Sequence, residues 1–335
     1  MVFNSKNLIN DYGNVLAEVN ACRTSAALFD FSFMFVAKLS GKGALKVVAH
    51  ITDRNFQSMP SGKIGYALSH SAQGFLRSDL TVWRVSADVF LIMTGLEEDI
   101  DGLIALGQNN KDCNVEDLSR KIAIYSVQGP ASLGVLNKLV DDERLSSLPY
   151  FGFAEFNIDG LICFIGRLGY TGERGFEIIL PIENDFQIWE RLSNKARPCG
   201  FSAIDRLRIE AGFVLFANEF QLPVSAGDVS LQSFTQKISS PPSYRLVCFK
   251  TETDQKLDSW SPGSDISPPL PGCISVTSAC HQNEERVGIG LGFILINNDD
   301  RGGEYVDQLG VFGKLIEVKK PYYDTLKKRP RGDWI

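Results

Sequence analysis

Residues Gly169–Glu177 read GYTGERGFE, and an apolar segment follows them directly. The glycines of this stretch allow a tight, irregular backbone that can approach a ligand closely. Glu177 begins the predicted strand, where its carboxylate can accept two hydrogen bonds from the N–H groups of a planar heterocycle. The alternative is a hairpin turn that leaves Glu177 exposed to solvent. The glycine spacing does not fit a dinucleotide-binding loop, so the stretch does not predict a Rossmann-type site.

Short strand-like and helix-like runs alternate on both sides of this stretch. Their mixture favours α+β domains over a single doubly wound sheet. Beyond residue 240 the chain is rich in Pro, Gly and Ser, which predicts a small all-β domain with a long surface loop at 251–271. The predicted strands are 35–39, 78–85, 89–94, 122–127, 153–159, 161–167, 176–181, 245–249, 288–294 and 315–318, and the predicted helices are 43–50, 97–106, 131–139, 185–193 and 203–212.

The composition narrows the class of function. The net charge is -6, whereas sequence-independent nucleic-acid binding requires a basic excess, so we expect no nucleic-acid partner. Three histidines and seven widely spaced cysteines without a CxxC pair predict neither a metal site nor a disulfide framework. A polar stretch at residues 1–20 and the lack of an apolar run of about 20 residues predict a cytoplasmic protein without a membrane segment.

Two further segments carry candidate functional side chains. Asp79 lies within the predicted strand that follows Gly74, where it is either a turn or cap residue or a carboxylate facing a pocket. The predicted helix 203–212 carries Asp205 and Arg208 at i,i+3 and Arg206 and Glu210 at i,i+4, a spacing that favours structural ion pairs.

Several stretches, taken together and in order, resemble the motifs of glycine-cleavage T-proteins (aminomethyltransferases). The glycine-rich stretch is similar to their GYTGEDGFE with one substitution. The other similar stretches are 28–34 to FDVSHM, 74–82 to GGIIDDLIV, 128–130 to QGP, 203–211 to ARDxxRLEA and 319–323 to KKPFY.

The resemblance implies an α+β protein whose three domains form a ring, or cloverleaf, around a central folate channel, with a small β-barrel domain at the C-terminus. The domains expected are residues 1–50 with 121–235, which bind folate, an interleaved second α+β domain at 51–120, and the barrel at 240–335. Tetrahydrofolate is the implied cofactor. Asp79 falls on the catalytic aspartate, Glu177 on the residue that binds the pterin ring, and Tyr170 and Tyr66 on positions that line the folate site. Thr94 falls on the position of an asparagine of the family, and we include it among the folate-binding residues.

Departures from the family pattern bear on the reaction. The first Asp of the family's DD pair is Ser78, the His of FDVSHM is Phe33, and the Arg of ARD, which the family uses at the folate site, is Ile204. These changes argue against docking to a lipoyl carrier protein. We therefore predict a transferase, similar to a demethylase, that moves an aminomethyl or methyl group from a small amine, sulfonium or methoxy donor to tetrahydrofolate. The alternatives are a non-catalytic folate-binding protein of the iron–sulfur maintenance type, whose reactive cysteine motif is absent near 227–231, and a folate-free regulatory homologue.

Overall fold

A computed structural model describes residues 8–237, 241–252, 259–282, 287–296 and 303–332. The helices are α1 (Val15–Thr24), α2 (Ala44–Thr52), α3 (Glu97–Gln108), α4 (Ser132–Leu136), α5 (Arg144–Ser147), α6 (Asp185–Ser193), α7 (Phe201–Glu210), α8 (Phe216–Glu219) and α9 (Lys328–Arg331). The strands are β1 (Ala27–Asp30), β2 (Phe35–Ser40), β3 (Lys63–His70), β4 (Leu76–Ser86), β5 (Val89–Thr94), β6 (Asn114–Asp117), β7 (Ile122–Gln128), β8 (Phe153–Ile158), β9 (Leu161–Gly166), β10 (Gly175–Pro181), β11 (Arg197–Cys199), β12 (Tyr244–Glu252), β13 (Cys273–Gln282), β14 (Val287–Leu295), β15 (Glu304–Asp307) and β16 (Lys314–Val318).

The first sheet has the strand order β11-β1-β7-β10-β9-β8. Side chains alternate between its two faces, as the pleat of a strand requires. Phe176 and Ile178 of β10 point into one core, which also contains Leu136 of α4 and Leu192 of α6. Ile179 points into a second core on the opposite face. Apolar cores therefore cover both faces of this sheet. Because its side chains are buried on both faces, β10 has a nearly continuous apolar sequence.

The second sheet has the order β3-β4-β5-β2-β6, with α2 and α3 on one face. It begins earlier than the domain boundary predicted at residue 51, because β2 pairs with β5 from Phe35↔Thr94 to Ser40↔Val89. Strand β2 and helix α2 thus belong with the second sheet and not with the first. The sequence signal was ambiguous here, since an apolar strand followed by a helix fits either sheet.

The C-terminal strands form a ring of pairings in the order β12-β14-β13-β15-β16, in which β16 pairs again with β12. Leu246 and Phe293 of this ring pack with Leu68 and Leu76 of the second sheet. Ile289 packs with Ile209 of α7, which belongs to the first sheet's unit. The β-ring therefore contacts the second sheet and helix α7. The loop predicted at 251–271 lies partly outside the described residues, and its described part includes a short 3-10 turn, Gly263–Asp265.

The two sheets face one another across a shared apolar core. Trp83 of β4 and Ile179 of β10 both lie in it. The indole of Trp83 packs against Gly166 of β9 so closely that any side chain at Gly166 would collide with it. Gly166 in turn pairs with Glu177. The space between the sheets is therefore where side chains of β4 and β10 meet.

One predicted helix is shorter than expected. The pattern predicted 131–139, whereas α4 spans Ser132–Leu136. Beyond it, the amide of Leu139 donates to the carbonyl of Leu136 at 2.8 Å, an i to i+3 bond. The amide of Val140 donates to the same carbonyl at 2.9 Å, so hydrogen-bonded turns follow α4 without extending the helix to residue 139.

Candidate active site

Asp79 lies on β4, on the face that looks toward the first sheet. Alternation along the strand puts it on the same side as Trp83, which lies in the core between the sheets. The hydroxyl of Tyr66 donates to Asp79 Oδ2 at 3.0 Å. Burial raises the pKa of the Asp79 carboxyl to about 6, the bond from Tyr66 opposes the rise, and the nearby acids Asp99 and Glu219 add to it. Asp79 is therefore a carboxyl group that can hold or release a proton near neutral pH.

Two tyrosines stand beside this carboxyl group. The ring of Tyr66 meets Phe234 edge to face with centroids 5.0 Å apart. The ring of Tyr170 stacks on Phe213 at 5.8 Å with an interplanar angle of 14°, and its hydroxyl donates to the carbonyl of Val214. The carboxylate of Asp79 contributes to the raised pKa of both tyrosines, after burial. Asp79, Tyr66 and Tyr170 therefore form one cluster, and its aromatic planes could hold a flat ligand.

Glu177 lies on β10, on the face that looks toward the second sheet. It shares that face with Ile179, which packs in the same core as Trp83. Its side chain is 7% exposed, and burial raises its pKa to about 7. Among the described residues, none donates a hydrogen bond to its carboxylate. A buried acid without a protein donor is costly to ionise, so Glu177 is suited to a ligand that brings its own N–H groups.

A second buried acid, Asp99, lies behind the Asp79 strand, at the start of α3. It is fully buried and accepts hydrogen bonds from Ser69 Oγ at 3.1 Å and Thr94 Oγ1 at 2.7 Å, as well as from Ser78 and Arg77. The four donors come from β3, β4 and β5, so Asp99 joins the ends of three strands. This cluster was not predicted from the sequence, because its members are brought together only by strand pairing.

Thr94, predicted as a folate-binding residue, is fully buried, and its hydroxyl donates a hydrogen bond to the carboxylate of Asp99. The structure therefore brings Asp79, Tyr66 and Tyr170 together, places Glu177 on the opposing sheet, and engages Thr94 in the Asp99 cluster.

Comparison with known proteins places the chain in a family. Residues 4–238 match the family described as GCVT N-terminal domain. A relative named aminomethyltransferase from Thermotoga sp. (strain RQ2) is 29% identical over 338 residues, covering 93% of this chain and 90% of the relative. Another of that name, from Desulfitobacterium hafniense (strain DSM 10664 / DCB-2), is 31% identical over 233 residues, covering 67% of this chain and 63% of the relative.

The chain belongs to the glycine-cleavage T-protein family. The resemblance inferred from the motifs is thereby confirmed. A crystal structure of the glycine cleavage system aminomethyltransferase T from Bartonella henselae covers 97% of this chain, with 94% of its own chain covered, a TM-score of 0.78 and 22% identity. That likeness shows a T-protein fold with mixed α and β content.

Two departures from the T-protein motifs now have a structural context. Ser78 occupies the position of the first Asp of the family motif, and its hydroxyl donates a hydrogen bond to Asp99. The acid next to Asp79 in the family motif is therefore replaced by a hydroxyl bonded to a carboxylate on α3. Ile204, in place of the motif's Arg, is buried in the core between the sheets.

An ion network on α7 connects the first unit to the β-ring. Arg208 is fully buried, and its guanidinium donates to Asp205 at 2.7 Å and to Glu219 at 2.9 Å. It also donates to Ser278 Oγ of β13 at 2.7 Å. The predicted pairs Asp205–Arg208 and Arg206–Glu210 are confirmed, the latter at 3.5 Å. This T-protein family member thus uses the helix 203–212 pattern for structural pairing.

A cavity of about 350 Å³ lies away from the Asp79 cluster, between β1, α7 and the segment before α1. Asp30, Tyr12 and Ile204 line it, whereas Asp79 and Glu177 do not. This cavity contains neither of the two acids whose pKa values are raised by burial, Asp79 and Glu177.

The described part of the chain holds no group of three or more His, Cys, Asp or Glu side chains arranged for a metal ion. None of its helices has both the length and the apolar character that crossing a bilayer would require.

Proposed function

We propose that this T-protein family member transfers a one-carbon group, aminomethyl or methyl, from a small donor to tetrahydrofolate bound between the two sheets. The single observation that carries the proposal is the placement of two acids with raised pKa values, Asp79 and Glu177, on facing sheets. The relatives named aminomethyltransferase, one of them matched over 93% of this chain, support the class of reaction. A three-domain ring closed by the C-terminal barrel is the architecture that we infer for the whole chain.

Glu177 would hold the pterin. A pterin presents adjacent N–H donors on its amino-pyrimidine edge, and one carboxylate can accept two of them side by side. Because no residue in the described part of the chain donates to Glu177, such a ligand would satisfy its oxygens and favour its ionised form. Tyr170 and Tyr66 would line the flat faces of the ligand. Thr94 would not touch the ligand. It would act indirectly, by positioning the carboxylate of Asp99 through their hydrogen bond.

Asp79 would serve the reacting end of the ligand. Tetrahydrofolate supplies the nucleophilic N5 that accepts the carbon. With a pKa of about 6, Asp79 is mostly ionised at pH 7.5, where it can orient N5 and take up its proton as the bond from N5 to the donor carbon forms. The bond from that carbon to the donor's nitrogen, sulfur or oxygen breaks in the same step, and the amine, thioether or alcohol leaves with the bonding electron pair. Most of the acceleration would come from holding donor and acceptor in line.

A non-catalytic folate-binding role is the second candidate, and two observations favour it. Ile204 stands where the family motif has Arg, and Ser78 where it has Asp. Both replacements remove charged groups from the motifs that the family uses at its site. In this case Glu177 would still bind the pterin, but Asp79 would promote no transfer.

The test combines binding with turnover. Tetrahydrofolate affinity is measured by calorimetry, and methyl- or methylene-folate formation is followed across a panel of N-methyl amines, sulfonium compounds and methoxy compounds. The variants are Asp79→Asn, Glu177→Gln and, as a matched control, Asp88→Asn, whose side chain is exposed in the β4–β5 turn. We expect loss of turnover with retained binding for the first, weaker binding for the second and no change for the third. Binding without turnover for every donor would favour the second candidate, and absence of binding would refute both.

A further inference from the structure

The cavity of about 350 Å³ between β1, α7 and the segment before α1 has no part in the proposed transfer. It lies at one end of the first sheet, where Asp30 ends β1, Ile122 begins β7 and Ile182 follows β10. Neither Asp79 nor Glu177 lines it. A ligand in this cavity would therefore occupy a site separate from the folate site proposed above.

Aromatic side chains form much of the wall of this cavity. The ring of Phe33 meets that of Phe31 at 5.8 Å between centroids with an interplanar angle of 62°, and that of Phe201 at 6.2 Å with an angle of 80°. Tyr12 lines the same cavity and is 39% exposed, so its ring is accessible from the solvent. The faces of aromatic rings carry partial negative charge, and such a wall therefore attracts organic cations.

Two departures from the family motifs meet at this cavity. Phe33 occupies the position of the His in FDVSHM, and Ile204 occupies that of the Arg in ARD. Both side chains line the cavity. The two exchanges remove one permanent positive charge and one titratable basic group, and they put apolar side chains in their place. Because both changes act in the same direction at one place, the cavity suits a ligand that is apolar or positively charged and not an anion.

Acidic groups outnumber basic ones around this cavity. Asp30 and Asp185 line it, and both carboxylates add to the raised pKa of Tyr125, after burial, so the two acids lie near the same point. Asp30 Oδ1 accepts a hydrogen bond from the amide of Ser32 at 2.8 Å. Within the described ranges, no basic side chain lies within ion-pair distance of either carboxylate, not even Arg120, which also lines the cavity. Two unpaired carboxylates against one arginine leave the cavity with an excess of negative charge.

We propose that this cavity binds a small N-methylated ammonium compound, with its methyl groups against the aromatic rings and its charge balanced by Asp30 and Asp185. In such a cation the positive charge is spread over the methyl groups, and the faces of aromatic rings attract it. The rings of Phe31, Phe33 and Phe201 supply the aromatic surface, and the two carboxylates supply the opposite charge. The site is independent of the proposed transfer, since it contains none of the groups assigned to that reaction.

The experiment compares two probes of the same shape by calorimetry at low salt. Choline carries a trimethylammonium group, whereas 3,3-dimethylbutan-1-ol has carbon in place of the nitrogen and no charge. The wild-type chain is expected to bind choline at one site and about tenfold tighter than the alcohol. Asp30→Asn and Asp185→Asn should each weaken choline binding about threefold and leave the binding of the alcohol unchanged. The exposed Asp88→Asn serves as the matched control and should bind both probes like the wild type.

Phe33→Leu tests the aromatic wall. Leu keeps an apolar contact but removes the face of the ring, so the affinity for choline should fall more than the affinity for the alcohol. Saturating 5-formyltetrahydrofolate should leave choline binding unchanged, because the two sites are separate. Urea unfolding of each variant shows that a loss of binding does not come from a loss of folding.

Four results would each overturn this inference alone. They are no binding of choline, equal affinity for the two probes, choline affinity that Asp30→Asn and Asp185→Asn leave intact, and displacement of choline by the folate. If choline binds as described but no folate binds, the proposed function fails and the inference about this cavity stands.

Discussion

Replacing Asp79 by Asn should lower turnover strongly and, at the same time, stabilise the protein. The side chain keeps its shape and can still accept the bond from Tyr66, but it no longer carries a charge. Burial is the main reason why the pKa of Asp79 rises from 3.8 to about 6. At 1.36 kcal/mol for each pKa unit, that rise corresponds to about 3 kcal/mol by which the ionised carboxylate destabilises the folded state. Because the side chain of Asp79 retains some solvent contact, we expect about 1–2 kcal/mol.

The direction of the pH dependence follows from the raised pKa. Below pH 3.8 the carboxyl group is protonated in both the folded and the unfolded chain, so Asn gives no advantage. Between pH 3.8 and about 6 the carboxyl group ionises in the unfolded chain but stays protonated in the folded one, so the difference in the free energy of unfolding grows over this range and has its full value above pH 6. Turnover should fall by roughly 10²-fold or more, as for the loss of a positioned acid or base.

The assay is urea unfolding of wild type, Asp79→Asn and Asp88→Asn at pH 4 and pH 8, together with turnover at pH 8. The control variant removes an exposed carboxylate from the same hairpin and should show neither effect. If Asp79→Asn is destabilised equally at both pH values, the carboxyl group is not under a burial penalty. If its turnover is near normal, Asp79 does not act in the reaction.

Four further outcomes follow from the same contacts. Glu177→Gln should weaken tetrahydrofolate binding by about tenfold or more, since an amide offers one acceptor where the ionised carboxylate offers two, and calorimetry measures this. Tyr66→Phe removes the bond that lowers the pKa of Asp79, so the acid limb of the pH–rate profile should move to higher pH. Asp99→Asn removes a charge that raises the pKa of Asp79, so that limb should move to lower pH, with a stability loss of about 1–3 kcal/mol from the weakened cluster. Arg208→Met leaves two buried acids unpaired and should lower the free energy of unfolding by about 3–5 kcal/mol, measured by urea unfolding.

Much of the secondary structure could be predicted from local pattern alone. Strand β5 and helix α6 have the predicted bounds, Val89–Thr94 and Asp185–Ser193. The hairpin predicted at 153–167 is the antiparallel pair β8 and β9. In these segments apolar periodicity, turn residues and length all agree, so tertiary contacts did not need to override the local signal.

Sheet membership and the Asp99 cluster could not be predicted in the same way. Whether β2 joins the first or the second sheet depends on its pairing with β5, about 55 residues away, and nothing local specifies it. Asp99 looked like an ordinary acid in the first turn of a helix, a position that its carboxylate suits anyway. Its role as the acceptor that joins the ends of β3, β4 and β5 depends on the pairing of these strands, which the local sequence does not specify.

The contacts among the candidate site residues depend on strand register, which the motifs do not give. Asp79 and Tyr66 turned out to be hydrogen-bonded because the β3–β4 register, with Tyr66 opposite Thr81 and Leu68 opposite Asp79, sets them diagonally on one face. Thr94 was predicted to bind folate from its position at a strand end alone. In the structure its hydroxyl donates a hydrogen bond to Asp99. Residue type and position alone do not reveal which neighbour takes up a side chain's hydrogen bond.

The most direct test of the account is a crystal structure of the protein with 5-formyltetrahydrofolate. The account predicts a pterin between the two sheets, with its amino-pyrimidine edge within hydrogen-bond distance of Glu177 and its reduced ring beside Asp79. A pterin bound in the cavity near Asp30, or Glu177 left without a ligand contact while folate is bound elsewhere, would contradict it.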